Sequence, residues 1–170
     1  MRSYYKDISL KTGQNNLLDL EPKLADHVED LDCFHIADLT EQAYDWVQES
    51  GIQNGVLTVQ AMHTTCVISV NELNEPCLLA DINKFLQKTL PRNGPYLHNN
   101  SSLRTVNVCE DATECDRNAD SHLKSFLFGS PSQSLIVRDG KPLIGQWQRL
   151  CFIDLDGPRQ RQLVIQIIGE

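Results

Sequence analysis

A chain of 170 residues, 41% hydrophobic and 22% charged, suffices to fill the core of one domain and is too apolar for a disordered chain. Its formal net charge of −8 opposes nucleic-acid binding, whereas a small anionic substrate needs only local cations or a metal. No apolar run approaches the ~20 residues of a membrane helix, and the opening Met1-Arg2-Ser3-Tyr4-Tyr5-Lys6-Asp7 lacks a secretory apolar stretch. A cytoplasmic protein with no membrane partner is expected.

From Tyr4 to Thr12 the chain alternates, Tyr4, Ile8 and Leu10 against Asp7, Ser9 and Lys11, which predicts a half-buried strand. Asp38-Leu39-Thr40-Glu41 has the spacing of a capped helix start. Leu39, Ala43, Trp46 and Val47 follow at helical spacing, and Gly51 stops the run. Val56 to Met62 and Thr65 to Val70 read as two strands broken at His63-Thr64. Pro76 opens a second helix striped with Leu79, Ile82, Phe85 and Leu86 and ended by Pro91.

Arg92 to Arg117 is polar and irregular, and a loop of that length in a compact domain is usually functional or disordered. Asn118 then caps a short helix whose stripe is Ala119, His122, Leu123, Phe126 and Leu127, with Gly129 beyond its end. Ser134–Arg138 is a strand, Asp139-Gly140 a hairpin turn, and strands over Leu143–Leu155 and Leu163–Ile168 close the sheet. The pattern predicts an α+β, β-rich single domain: largely antiparallel sheets in a sandwich-like arrangement with about three helices. Neither Gly51/Gly55 nor Gly140/Gly145 fits a phosphate-loop pattern.

Cysteines at 33, 66, 77, 109, 115 and 151 form no Cys-x-x-Cys pair. Cys33, Cys66, Cys77 and Cys151 lie in apolar or amphipathic segments and read as buried hydrophobes of a reducing compartment. Cys109 and Cys115 are loop thiols, with a metal role as the alternative.

His63 ends a strand where its imidazole can enter a cleft, flanked by Thr64 and Thr65; an ordinary structural histidine is the alternative. Asn71-Glu72 follows the next strand, and Glu72 comes near His63 if the two strands share a sheet. His122 is carried towards the core, where a buried imidazole needs a metal, a carboxylate, a substrate phosphate or a backbone carbonyl. His98 lies in the polar loop. Three histidines on separate elements are a common divalent-metal set, though these have no local spacing motif. Asp156-Gly157-Pro158-Arg159-Gln160-Arg161 is a rigid turn that would pin Arg159 to grip phosphate or carboxylate with two hydrogen bonds; a hairpin of solvated charges is the alternative. Arg149, Arg159 and Arg161 concentrate positive charge in this stretch, with Lys124 and Arg149 as candidate helpers. Trp147 is core or substrate platform.

His63-Thr64-Thr65-Cys66, Asn71-Glu72, Tyr96-Leu97-His98, Asn118-Ala119-Asp120-Ser121-His122-Leu123-Lys124, Gly145-Gln146-Trp147-Gln148 and Asp156-Gly157-Pro158-Arg159 occur in that order. Together they resemble the YjbQ family, whose members carry the label secondary thiamine-phosphate synthase. The departures are conservative: Pro131 where a second serine is usual, Leu155 for an aromatic, Asp154 for Glu. The resemblance implies a β-rich domain assembled as a homotrimer, with a polar histidine pocket near a subunit boundary. It implies His63, Glu72, His122 and Arg159 as catalytic residues, and Thr64, Asn71, Asn118, Lys124 and Trp147 as substrate-binding ones. His63, His98 and His122 are the implied ligands of a divalent ion (zinc, magnesium or manganese), and no organic cofactor is expected. The implied reaction joins a hydroxymethylpyrimidine diphosphate to a thiazole phosphate and releases pyrophosphate. A metal-assisted hydrolase of a phosphorylated metabolite and a non-catalytic trimeric metabolite- or metal-binding protein are the alternatives.

Overall fold

In the computed structural model, the residues described are 1–13, 23–24, 34–108 and 117–170. Their elements, in chain order, are β1 (Arg2–Lys11), β2 (His35–Asp38), α1 (Thr40–Ser50), β3 (Gly55–Ala61), β4 (Cys66–Asn71), α2 (Pro76–Thr89), α3 (Ala119–Phe128), β5 (Ser132–Arg138), β6 (Lys141–Pro142), β7 (Arg149–Asp154) and β8 (Gln160–Gly169). One 3₁₀ turn, Leu97–Asn99, interrupts the polar loop before α3. The strands form a five-stranded sheet, β1-β8-β3-β5-β6, and a three-stranded sheet, β2-β7-β4. Every pairing is antiparallel. The β-rich α+β architecture expected from the sequence is therefore the one adopted.

Local chemistry accounts for most element boundaries. In β1, Tyr4, Ile8 and Leu10 are half-buried while Tyr5, Asp7, Ser9 and Lys11 face outward. The Asp38 carboxylate accepts the Thr40 amide at 2.9 Å at the start of α1, and Gly51 ends that helix in the left-handed region at φ 64°. Pro76 opens α2, where the Glu75 carboxylate accepts the amides of Cys77 and Leu78 at 2.9 and 2.6 Å. Asp139 and Gly140, both at positive φ (51° and 70°), make the tight β5–β6 hairpin.

The main core lies between the sheets. Leu57, Val59, Leu163, Ile165 and Ile167 of the larger sheet meet Ile68, Leu150 and Phe152 of the smaller one, with Trp46 and Val47 of α1 packed against both. A second core lies on the outer face of the smaller sheet, where Ile36, Val67 and Cys151 meet Leu79 and Leu86 of α2. The three-stranded sheet thus carries apolar side chains on both faces, which makes its central strand β7 nearly continuous in buried residues.

The structure departs from the sequence reading at several elements. The strands β3 and β4 belong to different sheets, so the turn at His63 passes between layers and the two strands do not form a hairpin. The expected strand over 143–155 begins only at Arg149. Before it, Gln148 donates its amide to the Gly145 carbonyl at 3.0 Å and accepts the Gly145 amide on its side chain at 2.8 Å, which closes a turn. The four-residue strand β2 is too short to alternate visibly, and the sequence reading missed it.

A further departure concerns α3. Its buried residues are Ala119, Asp120, Ser121 and Lys124, whereas Leu123, Phe126, Leu127 and Phe128 are exposed. The polar side can turn inward because it is paired. Lys124 Nζ lies 2.8 Å from Asp120 Oδ2, both side chains being 1% exposed, and the Ser121 hydroxyl donates to the Leu155 carbonyl. Gly129 follows the helix in extended conformation, and a Cβ there would come within 2.1 Å of a Val67 methyl, so the close approach of β4 calls for glycine. Cys66 and Cys151 are buried as expected, and burial is the main cause pushing each thiol up to about 12. Cys77, expected inside, is exposed on the first turn of α2; Cys33, Cys109 and Cys115 lie outside the described residues. Among the described residues, no helix is long and apolar enough to cross a membrane.

Candidate functional site

The last two strands belong to different sheets, and the turn between them crosses from one layer to the other. It is held by Asp154. Both oxygens of this buried carboxylate accept from Arg161, each at 2.9 Å. The Thr12 hydroxyl donates to it at 2.7 Å and the Asp156 amide at 3.1 Å. Burial alone would raise the Asp154 carboxyl, but Arg161, Thr12 and the Asp156 amide outweigh it and hold the group below its ordinary value. Glycine is required at 157, where a Cβ would meet Asp154 Oδ2 at 2.7 Å and the His35 ring at 2.8 Å.

Two residues on, Asp156 has a different set of partners. Its carboxylate is also buried, at 2% exposure. It accepts Asn118 Nδ2 at 2.9 Å and Arg92 at 3.3 Å, and the Arg159 guanidinium lies 3.5 Å away. Both arginine side chains stay more than 40% exposed, so each keeps donors facing outward. The Asn118 side-chain oxygen faces His98 Nε2 at 3.3 Å, and with this amide orientation Nε2 carries the proton. His98 in turn packs edge-on against His122, ring centroids 5.0 Å apart. Asp156 therefore organises Arg92, Arg159 and, through Asn118, the His98–His122 pair.

His63 stands at the turn between β3 and β4. Its Nδ1 lies 3.0 Å from the Thr65 hydroxyl and accepts the Thr65 amide at 3.3 Å, which leaves Nε2 outward with the proton. Partial burial and the Arg161 charge lower the His63 pKa against the opposing pull of Asp154 and Asp156. Partial burial and the neighbouring His98 lower that of His122, again against Asp156. Both rings feel the Asp156 charge, and for both the lowered value favours the neutral imidazole.

Of the residues singled out in the sequence, the structure gathers His63, His98, His122, Asn118 and Arg159 about Asp156. Thr64 is exposed beside His63. Glu72 is not brought to His63: the two flank opposite ends of β4, whose residues 66 and 71 are about 17 Å apart along an extended strand. Asn71 and Arg149 pair at that far end of the sheet, and Trp147, 68% exposed, precedes Arg149 there. Arg149 is bound to Asp38 at 2.7 Å, and Arg161 is consumed by Asp154, so of the expected basic cluster Arg159 alone reaches Asp156 with its side chain exposed. Lys124 lies beneath α3 with Asp120. Two members escaped the sequence reading: Arg92, just after the proline that ends α2, and Asp156 as the hub. The signal for Asp156 was its place three residues before Arg159 in a Gly-Pro turn, where a carboxylate and a guanidinium meet.

The donor set offers a divalent ion two adjacent imidazoles, His98 and His122. Among the described residues no three His, Cys, Asp or Glu side chains converge closely enough to hold a metal within one chain.

A β-rich α+β fold with two antiparallel sheets, and a histidine–arginine cluster built on a buried carboxylate where the chain crosses between them, defines the class of the protein. The family model described as UPF0047 protein YjbQ-like matches residues 10–170, and the chain belongs to that family. It is 34% identical over 135 residues to a UPF0047 protein of Methanocaldococcus jannaschii, covering 79% of this chain and 86% of that one. To the UPF0047 protein YugU of Bacillus subtilis it is 30% identical over 132 residues, covering 78% and 88%. Among solved structures, a YbjQ-like protein of unknown function from Sulfolobus solfataricus superposes with a TM-score of 0.74 at 28% identity, over 99% of both chains.

Proposed function

We propose that the Asp156 cluster is an active site for phosphorylated small molecules, with the chemistry of a secondary thiamine-phosphate synthase. One observation carries the reading: two guanidinium groups share a buried carboxylate yet keep exposed donors, beside a pair of adjacent histidines. Arg92 and Arg159 are held from behind and can grip phosphate oxygens in front.

In the proposed reaction, the thiazole nitrogen lone pair attacks the pyrimidine methylene while the bond from that carbon to the diphosphate oxygen breaks. The nitrogen becomes a cationic ring nitrogen, the oxygen takes the bonding pair, and pyrophosphate leaves. No proton is lost from the attacking nitrogen, so this step needs no general base. It needs positive charge where pyrophosphate departs, which Arg92 and Arg159 supply, and a fixed orientation, which Asp156 and Asn118 supply. A divalent ion held by His98 and His122 would add further charge to the leaving group. His63, with its outward Nε2–H, would donate to a phosphate oxygen.

The family resemblance also suggests a homotrimer, and the apolar side chains that α3 leaves outward, with Phe126 84% exposed, are in keeping with one. Light scattering on the purified protein gives the assembly directly. For the activity, the protein is incubated with hydroxymethylpyrimidine diphosphate and thiazole phosphate, with and without zinc, magnesium or manganese. Thiamine phosphate should form, and His122→Ala and Arg159→Ala should each abolish it without changing the melting temperature or the assembly. Undiminished turnover in both variants would sink the reading. Phosphate release without the thiazole partner would favour a hydrolase.

A further inference from the structure

Beside the Asp156 cluster lies a hollow of about 430 Å³, lined by Arg92, Asn93, Gly94, Asn99 and Arg117, within the size range of small-molecule sites. Two of these residues are chain neighbours of the cluster: Asn99 follows His98, and Arg117 precedes Asn118. Arg92 belongs to both, lining the hollow while its guanidinium reaches Asp156 at 3.3 Å. Among the described residues, the lining carries two guanidinium groups, two side-chain amides and no carboxylate. In a chain of net charge −8, that is a local reversal of sign.

Most of these donors are held in place before any ligand arrives. The Arg92 guanidinium donates to Asp156 and, at 3.4 Å, to the Ser121 hydroxyl, yet the side chain stays 48% exposed. The loop that carries Arg92 and Asn93 is closed on itself, since the Gly94 amide and the Tyr96 hydroxyl both donate to the Pro91 carbonyl, at 3.2 and 2.9 Å. Asn99 accepts the Ala119 amide on its side-chain oxygen at 3.1 Å, which leaves Nδ2 as a donor. Arg117 is exposed.

We infer that this hollow is a phosphate-monoester subsite, with Arg117 and Arg92 holding the monophosphate of the attacking substrate while Arg159 faces the departing diphosphate. The assignment to that substrate rests on the active-site reading above. The proposed reaction brings together two molecules that each carry negative phosphate groups, and these repel one another unless cations separate them. Arg92 touches both subsites and so stands where it screens one phosphate from the other. Charge selects the ligand class. Two guanidinium groups match the two negative charges of a phosphate monoester, and their paired N–H donors match its oxygens. A phosphodiester or a carboxylate brings a single charge and answers only half of the lining.

The probe is methyl phosphate, titrated at constant ionic strength while the arginine side-chain Nε–H resonances are followed by NMR. The Arg117 and Arg92 signals, assigned by their loss in Arg117→Gln and Arg92→Gln, should move together and saturate. Dimethyl phosphate, with one charge, should bind at least about tenfold more weakly, and so should methyl phosphate to Arg117→Gln. In turnover, Arg117→Gln should raise KM for thiazole phosphate by at least about tenfold and leave KM for the diphosphate substrate within about twofold. The thiazole alcohol, which lacks the phosphate, should be used equally by wild type and variant. An Arg117 signal that does not saturate, or equal affinity for dimethyl phosphate, overturns the subsite. An unchanged KM for thiazole phosphate overturns its assignment to the attacking substrate. Methyl phosphate bound at Arg117 and Arg92 without any thiamine phosphate formed would overturn the assigned reaction and leave the subsite standing. Turnover with an unmoved Arg117 signal would do the reverse.

Discussion

The three-stranded sheet ends in an ion pair on each side, and the two ends behave differently. At one end Arg161 holds Asp154 in a buried, doubly bonded pair, with Asp156 and the histidines beside it. At the other, Arg149 meets Asp38 with both side chains more than 20% exposed, near Asn71, Glu72 and Trp147. Both ends carry polar residues that stand out in the sequence. What separates them is depth: the buried pair fixes a turn that carries further charged groups, whereas the partly exposed pair holds only the start of α1, through Thr40 and Glu41.

The largest expected effect tests that contrast. Arg161→Met strands Asp154 as a buried charge and should cost about 3–5 kcal/mol in urea unfolding. Arg149→Met at the far end should cost at most about 1 kcal/mol. Similar losses at both ends would erase the distinction.

Next in size is a dependence on acid. The folded Asp154 carboxyl titrates below its unfolded value of about 3.9. Its stabilisation is therefore fully present above that pH and is lost as pH falls through the lower folded value. Unfolding free energies between pH 6 and about 2 should show this loss in the wild type and lack this component in Asp154→Asn.

The histidines give a smaller, sharper signal. His63 and His122 should titrate below about 6.5 by NMR, so their contribution to stability is complete above that pH and declines as pH falls towards their folded values. Asp156 opposes both shifts, so Asp156→Asn should drive both titrations lower still. Unmoved titrations would separate Asp156 from the rings. The smallest effect is expected of Glu72→Gln, which should leave product formation within about twofold of wild type, as expected for a group remote from the reacting atoms. A large loss there would mean that Glu72 reaches the site of a neighbouring copy.

Much of this was legible in the sequence, and the exceptions share a cause. Period and punctuation located β1, α1, α2 and the Asp139-Gly140 hairpin, because alternation, Pro76 and Gly51 act locally. The histidines, Asn118 and Arg159 stood out by residue type and by family resemblance. The inward face of α3 did not, since a stripe of Leu123, Phe126 and Leu127 reads as core until Asp120 and Lys124 are seen to neutralise each other inside. Nor did the separation of His63 from Glu72, which depends on β3 and β4 entering different sheets. Arg92 was hidden because its partner, Asp156, lies 64 residues away.

The crossing from β7 to β8 is both the seam between the layers and the place where Asp156 and Arg159 are presented. A molecule seated on these groups would act as a rivet through that seam. Occupancy should then be felt far from the point of contact, as slowed amide hydrogen exchange in strands of both sheets together, because neither layer can peel away without unthreading the other.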